Sequence, residues 1–400
     1  MCSNSGGLCT DVWALIVKIM NIKDVKVLRL VSKALSRIGI EVLFQTVNLF
    51  ESSISLQRLC SMVPCSSTAH AISKTTKELR LFTLHSFKPE TDRVEGILPI
   101  PHSDFSQVRR EKIDVKSFEK ALGHFRNLNT LIVRDFAWVS KYESDMEMIG
   151  GQLVKRVLAG KYFSLSYNSR ALACAAIAIQ KHNLSPQYLQ VDMGFNLLID
   201  EEVLSAIKYA FGQARFLDVA MELRDTTCPW DEHEKVCELA EMQAVDQIQL
   251  HVFSQGLLPQ CFAEALKLET LKVVFNCWFK RSWQSRSIES YLGSKTWPHL
   301  RALNLAKLII DAKSLLRVLH RNGNTLEELY LGKPIFTGDQ WPMFFRSLRD
   351  YHHEGKMHLE VLDITGAMQW TYLASDDYEL ESMNPVHPWY VITSANEHFI

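Results

Sequence analysis

The stretches LRALNL (Leu300–Leu305) and LEELYL (Leu326–Leu331) are two copies of one pattern, Leu-x-x-Leu-x-Leu. Over the last four positions of each, leucine alternates with a smaller or more polar residue, which predicts a short strand with one buried face. The pattern recurs outward in looser form. It appears as Phe44/Val47/Leu49, Leu79/Leu81, Leu128/Leu131/Val133, Phe163/Leu165 and Leu189/Val191. It continues as Leu217/Val219, Ile248/Leu250, Leu268/Leu271/Val273 and Leu359/Leu362/Ile364. Successive copies lie 23–33 residues apart, with one gap of 52.

Helical patterns fill the intervals. Ser144 with Glu147 reads as a capping pair, and Gly160 as the close of that segment. Asp200–Phe211 is amphipathic with Gly212 just beyond, and Asp231 with Glu234 opens another helix. Asp311–Arg321 ends at Asn322-Gly323, and Thr337–Tyr351 is the last long helix. A strand and a helix at this period predict an α/β chain, a leucine-rich-repeat-like strand–helix solenoid over 45–370. The alternative is a non-repeat α/β domain, but so many parallel strands would make an unusually wide open sheet. The copies are degenerate, with irregular spacing and without the asparagine of tight repeats. In a horseshoe, the side chains between the buried strand positions face the concave surface. Gln190, Asp192, Asp218, Gln249, His251, Lys272, Asn304, Tyr330 and Asp363 are therefore the candidate substrate-binding residues. They mix charge signs and single out no charged class of substrate.

The long gap marks a loop insertion at 83–115, which contains Pro89, Pro99, Pro101 and the run Arg109-Arg110-Glu111-Lys112 without periodicity. Between Trp278 and Trp297, Lys280, Arg281, Arg286 and Lys295 interleave with Trp283 and Tyr291. Such a mixture suits phosphate contact, yet an inter-repeat loop anchored by its aromatics explains it better, and no nucleic acid is expected. Residues 371–400, acidic around Asp376–Glu381 and carrying Pro385 and Pro388, read as a cap or tail.

At 400 residues the chain exceeds the roughly 250–300 that one core usually spans, so it holds two domains or a repeat array. Apolar residues at 47% and charged residues at 22% fit a folded soluble protein. A net charge of −1 gives no electrostatic case for nucleic acid or an anionic membrane. The opening MCSNSGGLCTD lacks the basic and apolar regions of a secretory signal. The most apolar stretch, Ala171–Ile179, is far too short for a membrane span. Nine scattered cysteines suit reduced thiols better than a disulfide framework. The expectation is a cytoplasmic or nuclear chain, neither secreted nor transmembrane.

Near the N-terminus, Val12, Leu15, Ile16, Ile19 and Met20 fall on one helical stripe, with Thr10 and Asp11 as cap candidates. Asn21 with Asp24 resembles a capping box opening a second helix over 24–36, with Val25, Leu28, Val31 and Leu35 on one face.

The whole string LCTDVWALIVKIMNIKDVKVLRLVSKALSRIGIEVLF, residues 8–44, resembles an F-box in the form common in fungal proteins. That family begins Leu-Pro-x-Glu, continues with an apolar helix, then runs Lys-Asp-Leu-x-x-Leu-Arg-x-Val-Ser-Lys into a third helix. Leu8, Asp11, Val12, Ile16 and Met20 match the first part without a gap. Lys23, Asp24, Val25, Leu28, Arg29, Val31, Ser32 and Lys33 match the second, and Leu43-Phe44 closes it. Cys9 stands where the family has its proline, and Asn21 replaces a common second one. The first change removes a preset φ at a helix start.

The resemblance implies three short helices that dock on the Skp adaptor, which bridges to a cullin–RING ubiquitin ligase. It implies Leu8, Cys9, Val12, Ile16, Met20, Leu28, Val31 and Leu35 as adaptor-binding residues, although a three-helix unit also needs part of such a set for its own core. The repeat array would then hold an unidentified protein substrate. With Phe44 serving both box and array, a rigid junction is expected. The alternative is a non-catalytic scaffold whose weakened box no longer docks.

Enzyme motifs are absent: no Gly-x-Ser-x-Gly elbow, Gly-x-Gly-x-x-Gly turn, P-loop or His-Glu-x-x-His occurs. Cys228, His233 and Cys237, with Cys261 as a distant fourth, come nearest to a zinc set. Incidental thiols are the better reading. His352-His353 read as favourable charge at a helix C-terminus. No catalytic residue, metal or cofactor is expected.

Overall fold

Two polar side chains divide the first helices. Asn21 Oδ1 accepts from the Lys23 N–H at 2.8 Å, and Ser32 Oγ accepts from the Leu35 N–H at 3.2 Å. The result is α1 (Thr10–Ile19), α2 (Ile22–Leu28) and α3 (Lys33–Leu43). The single helix expected over 24–36 is thus two, because Ser32 caps a new start and Arg29 closes the old end. The computed structural model describes residues 10–50, 57, 59–60, 72–83, 113–135, 170–223, 251–277, 287–337, 340–365, 369–371 and 391–393. The expected elements around 144–160, 163–165 and 231–234, and nearly all of the 83–115 insertion, lie outside them.

The chain divides into two units, the first comprising 1–165 and 177–186. In it, β1 (Thr46–Phe50), β2 (Glu78–Thr83) and β3 (Thr130–Asp135) pair parallel in sequence order, with α4 (Ile113–Leu122) between the last two. Val47, Leu79 and Leu131 lie in one buried row, and Leu49, Leu81 and Val133 in the next. Phe44 and Gln45 alone separate α3 from β1. Both are tied down: the Phe44 carbonyl accepts from Thr76 Oγ1 at 3.0 Å, and the Gln45 carbonyl accepts from the Lys77 and Glu78 N–H groups.

The second unit comprises 166–176 and 187–400, so α5 (Arg170–Lys181) contributes to each. Its strands β4 (Tyr188–Met193), β5 (Phe216–Leu223), β6 (Thr270–Cys277), β7 (Ala302–Ala306), β9 (Glu328–Gly332) and β11 (Val361–Thr365) pair parallel, each with the next. Helices α6 (Glu201–Gln213), α7 (Leu257–Ala263), α8 (Glu289–Leu292), α9 (Ala312–Asn322) and α10 (Trp341–His353) occupy the connections. Leu189, Leu217, Leu271, Leu303, Leu329 and Leu362 form one buried row across the sheet, the burial that the alternating pattern demands.

One stitch recurs before the strands. The carbonyls of Gln187, Arg215, Glu269, Arg301 and Glu327 each accept two successive N–H groups from the entry to the following strand. Lys77 does the same in the first unit. At the far end of the strands, Lys307 and Lys333 take positive φ values of 57° and 49°. These corners lead into a second, smaller parallel ladder of β8 (Ile309–Ile310), β10 (Ile335–Thr337) and β12 (Gln369–Thr371). Finally, β13 (Val391–Thr393) lies antiparallel on β11.

Several expected boundaries move. Asp200 and Asp311 cap α6 and α9 as N-terminal acceptors, at 3.0 and 2.8 Å, rather than lying inside them. Gly212 is within α6, since Ala214 supplies the C-cap. Thr337 belongs to β10, and α10 starts four residues later with Pro342 in its first turn. The expected strand at Ile248/Leu250 lies outside the described residues, and β5 pairs directly with β6. Residues 251–254 are helical, with Val252 and Phe253 buried side by side.

Candidate functional site

The helical unit makes its own core from little material. Val17, Val25 and Ile38 are buried together, with Trp13, Ala14, Met20, Leu28, Val42 and Leu43 packed around them. Val12 (38% exposed), Leu15 (64%), Ile19 (87%), Val27 (65%), Leu30 (82%) and Val31 (70%) remain in solvent. These are six of the nine large exposed hydrophobics among the described residues, although the unit is a small part of the chain. At 100° per residue, Val17 with Trp13, Ala14 and Met20 occupies one side of α1, and Val12, Leu15 and Ile19 the other.

The expected adaptor set therefore splits. Val12 and Val31 are exposed, Ile16 is half-buried, and Leu8 and Cys9 lie outside the described residues. Met20 and Leu28 are half-buried against the core, and Leu35 is buried. Leu15, Ile19, Val27 and Leu30 were missing from the set. α1 is apolar nearly all round, so periodicity alone could not say which side turns inward.

The second unit offers the outer face of its sheet. Gln190, Asp218, Lys272, Asn304, Tyr330 and Asp363 stand in one register row on six successive strands. Asp192 lies in the next row, beside Ala220. His251 is on a helical turn, exposed and off the sheet, which corrects its place in the set; Gln249 lies outside the described residues.

Within the row, the Asp218 carboxylate is buried and accepts from Gln190 Nε2 at 2.7 Å and Lys272 Nζ at 3.1 Å. A buried charge stands only with such partners. Tyr330 donates its hydroxyl to Glu328 Oε2 at 3.1 Å. Burial, that bond to Glu328 and the fields of Glu328 and Asp363 hold the phenol above its usual range. Glu328 and Phe216 share a flanking row that the sequence set did not include.

Elsewhere the chemistry is structural. Tyr291 and Trp297, counted with the basic segment, are buried, and Trp297 Nε1 donates to the Phe262 carbonyl at 3.0 Å. Cys261 is buried on α7, where burial pushes its thiol up to about 12. Cys228, His233 and Cys237 lie outside the described residues, and among those described no group of three His, Cys, Asp or Glu side chains is placed to hold a metal. Among the described residues no helix is long and apolar enough to cross a membrane. No protein-family model and no curated protein matches the chain.

Proposed function

We propose that this chain is the substrate-recognition subunit of a Skp–cullin–F-box ubiquitin ligase. The observation that carries the proposal is the apolar surface around Leu15, Ile19, Val27, Leu30 and Val31, left exposed by helices that already own a core. Such a surface is covered by a partner, and helix-in-groove docking is the mode it fits. The sequence resemblance over 8–44 names the Skp adaptor as that partner.

Sequential parallel strands, the repeated carbonyl stitch and the intervening helices support a leucine-rich-repeat-like solenoid after the box. Its outer sheet face would hold the target protein. The chain then does no chemistry of its own; it raises the concentration of target beside the ligase. The test is co-assembly with the adaptor–cullin complex. Ile19→Asp and Leu30→Asp should abolish assembly while the fold is retained, because both side chains are exposed. Assembly unchanged by both substitutions would reject the docking surface.

Cys9 favours a second reading, a scaffold that no longer engages the adaptor, because a family proline is lost. Equal adaptor affinity in the wild type and in Cys9→Pro would remove its basis.

A further inference from the structure

On the outer sheet face of the second unit, one row runs Phe216, Thr270, Ala302, Glu328 across β5, β6, β7 and β9. Its two ends differ in kind. Phe216 is 39% exposed and stacked on Tyr188, with ring centroids 6.2 Å apart. Glu328 is joined by the Tyr330 hydroxyl, and Tyr330 is the register neighbour of Asp363. Between these ends Thr270 and Ala302 carry short side chains, both half-buried.

Among the described residues the acidic end has no basic partner. Lys272 is bonded to Asp218, and Arg301 lies 3.9 Å from Glu327, not Glu328. No basic side chain among the described residues pairs with Glu328 or Asp363. Two carboxylates around one phenol are complementary to a guanidinium or ammonium group, which gains charge-assisted hydrogen bonds and the ring face.

Three strand steps separate Phe216 from Glu328 and a fourth reaches Asp363, a span of about 14–19 Å. Extended chain rises roughly 3.3 Å per residue, so the two ends are about four to six residues apart along a segment crossing the strands. We propose that this face binds an extended protein segment carrying arginine or lysine about four to six residues from an aromatic or aliphatic side chain. The apolar side chain sits on Phe216 and Tyr188, and the basic one between Glu328, Tyr330 and Asp363. This specifies the substrate class of the proposed receptor, and rests on that role for its biological meaning.

The probe is a random peptide library displayed to the immobilised full chain, followed by anisotropy titration of the best selected peptide. Selected peptides should share the basic and apolar pair at that spacing. Glu328→Gln with Asp363→Asn should weaken the peptide about tenfold without changing the circular dichroism, and added salt should weaken wild-type binding. No selected peptide, peptides lacking a basic residue, preference for a single-stranded oligonucleotide, or equal affinity in the folded double variant would each overturn the assignment. Adaptor binding is titrated on the same protein. Its failure with peptide selection intact counts against the receptor role alone, and the reverse counts against this surface alone.

Discussion

Gly323, the C-cap of α9, faces the Lys356 carbonyl so closely that a Cβ would stand 2.2 Å from its oxygen. The backbone there is ordinary right-handed, so the demand is for space rather than for an unusual φ. Gly323→Ala should cost about 1–3 kcal/mol of overpacking. Urea unfolding would measure it, and an unchanged midpoint would contradict the close approach. Cys261 makes a separate prediction. Its thiol, pushed up to about 12 by burial, holds almost no thiolate at neutral pH. Iodoacetamide labelling of the native chain, read by mass spectrometry, should leave Cys261 unmodified until the protein unfolds. Rapid native labelling would mean that α7 is not packed as described.

The connections between the strands depend on a few polar ties. Asn322 Oδ1 on α9 accepts from the Trp297 N–H at 2.9 Å, and Ser314 Oγ accepts from the Ile288 N–H at 3.0 Å, both buried. Glu289 on α8 meets Arg317 at 2.7 Å and Arg321 at 2.6 Å, both on α9. Hydrogen bonds from Arg317, with help from Arg321 and Ser287, hold its carboxyl down at about 2. Because the folded value lies below the unfolded one, this contribution is complete above about pH 4.5 and is lost as pH falls towards 2. Glu289→Gln should therefore flatten the acid side of the stability curve in that window. An identical pH dependence for wild type and variant would show that the clamp contributes nothing.

Which parts of these elements were legible depended on periodicity. The buried strand leucines announced themselves by period-two alternation, and the row from Gln190 to Asp363 followed because each member sits between two of them. His251 lies on a helical turn, which period-two alternation in the sequence does not distinguish from a strand. The small ladder after Lys307 and Lys333 gave no signal, since lysine rarely marks a left-handed corner. On α1, apolar residues on every side concealed which ones the core would take.

One chain carries two kinds of surface. The helical unit presents aliphatic side chains, and the sheet of the second unit presents a polar row with an aromatic and an acidic end. With only Phe44 and Gln45 between α3 and β1, and both hydrogen-bonded, hydrogen exchange should find that junction as protected as β1 itself. Rapid exchange confined to residues 44–46 would contradict a rigid join. The proposed docking of the exposed aliphatic face on the Skp adaptor is open to calorimetric titration of the full chain with purified adaptor. Saturable one-to-one binding with a negative heat-capacity change, abolished by Ile19→Asp, is expected. A folded wild-type chain that gives no binding heat at any temperature would contradict it.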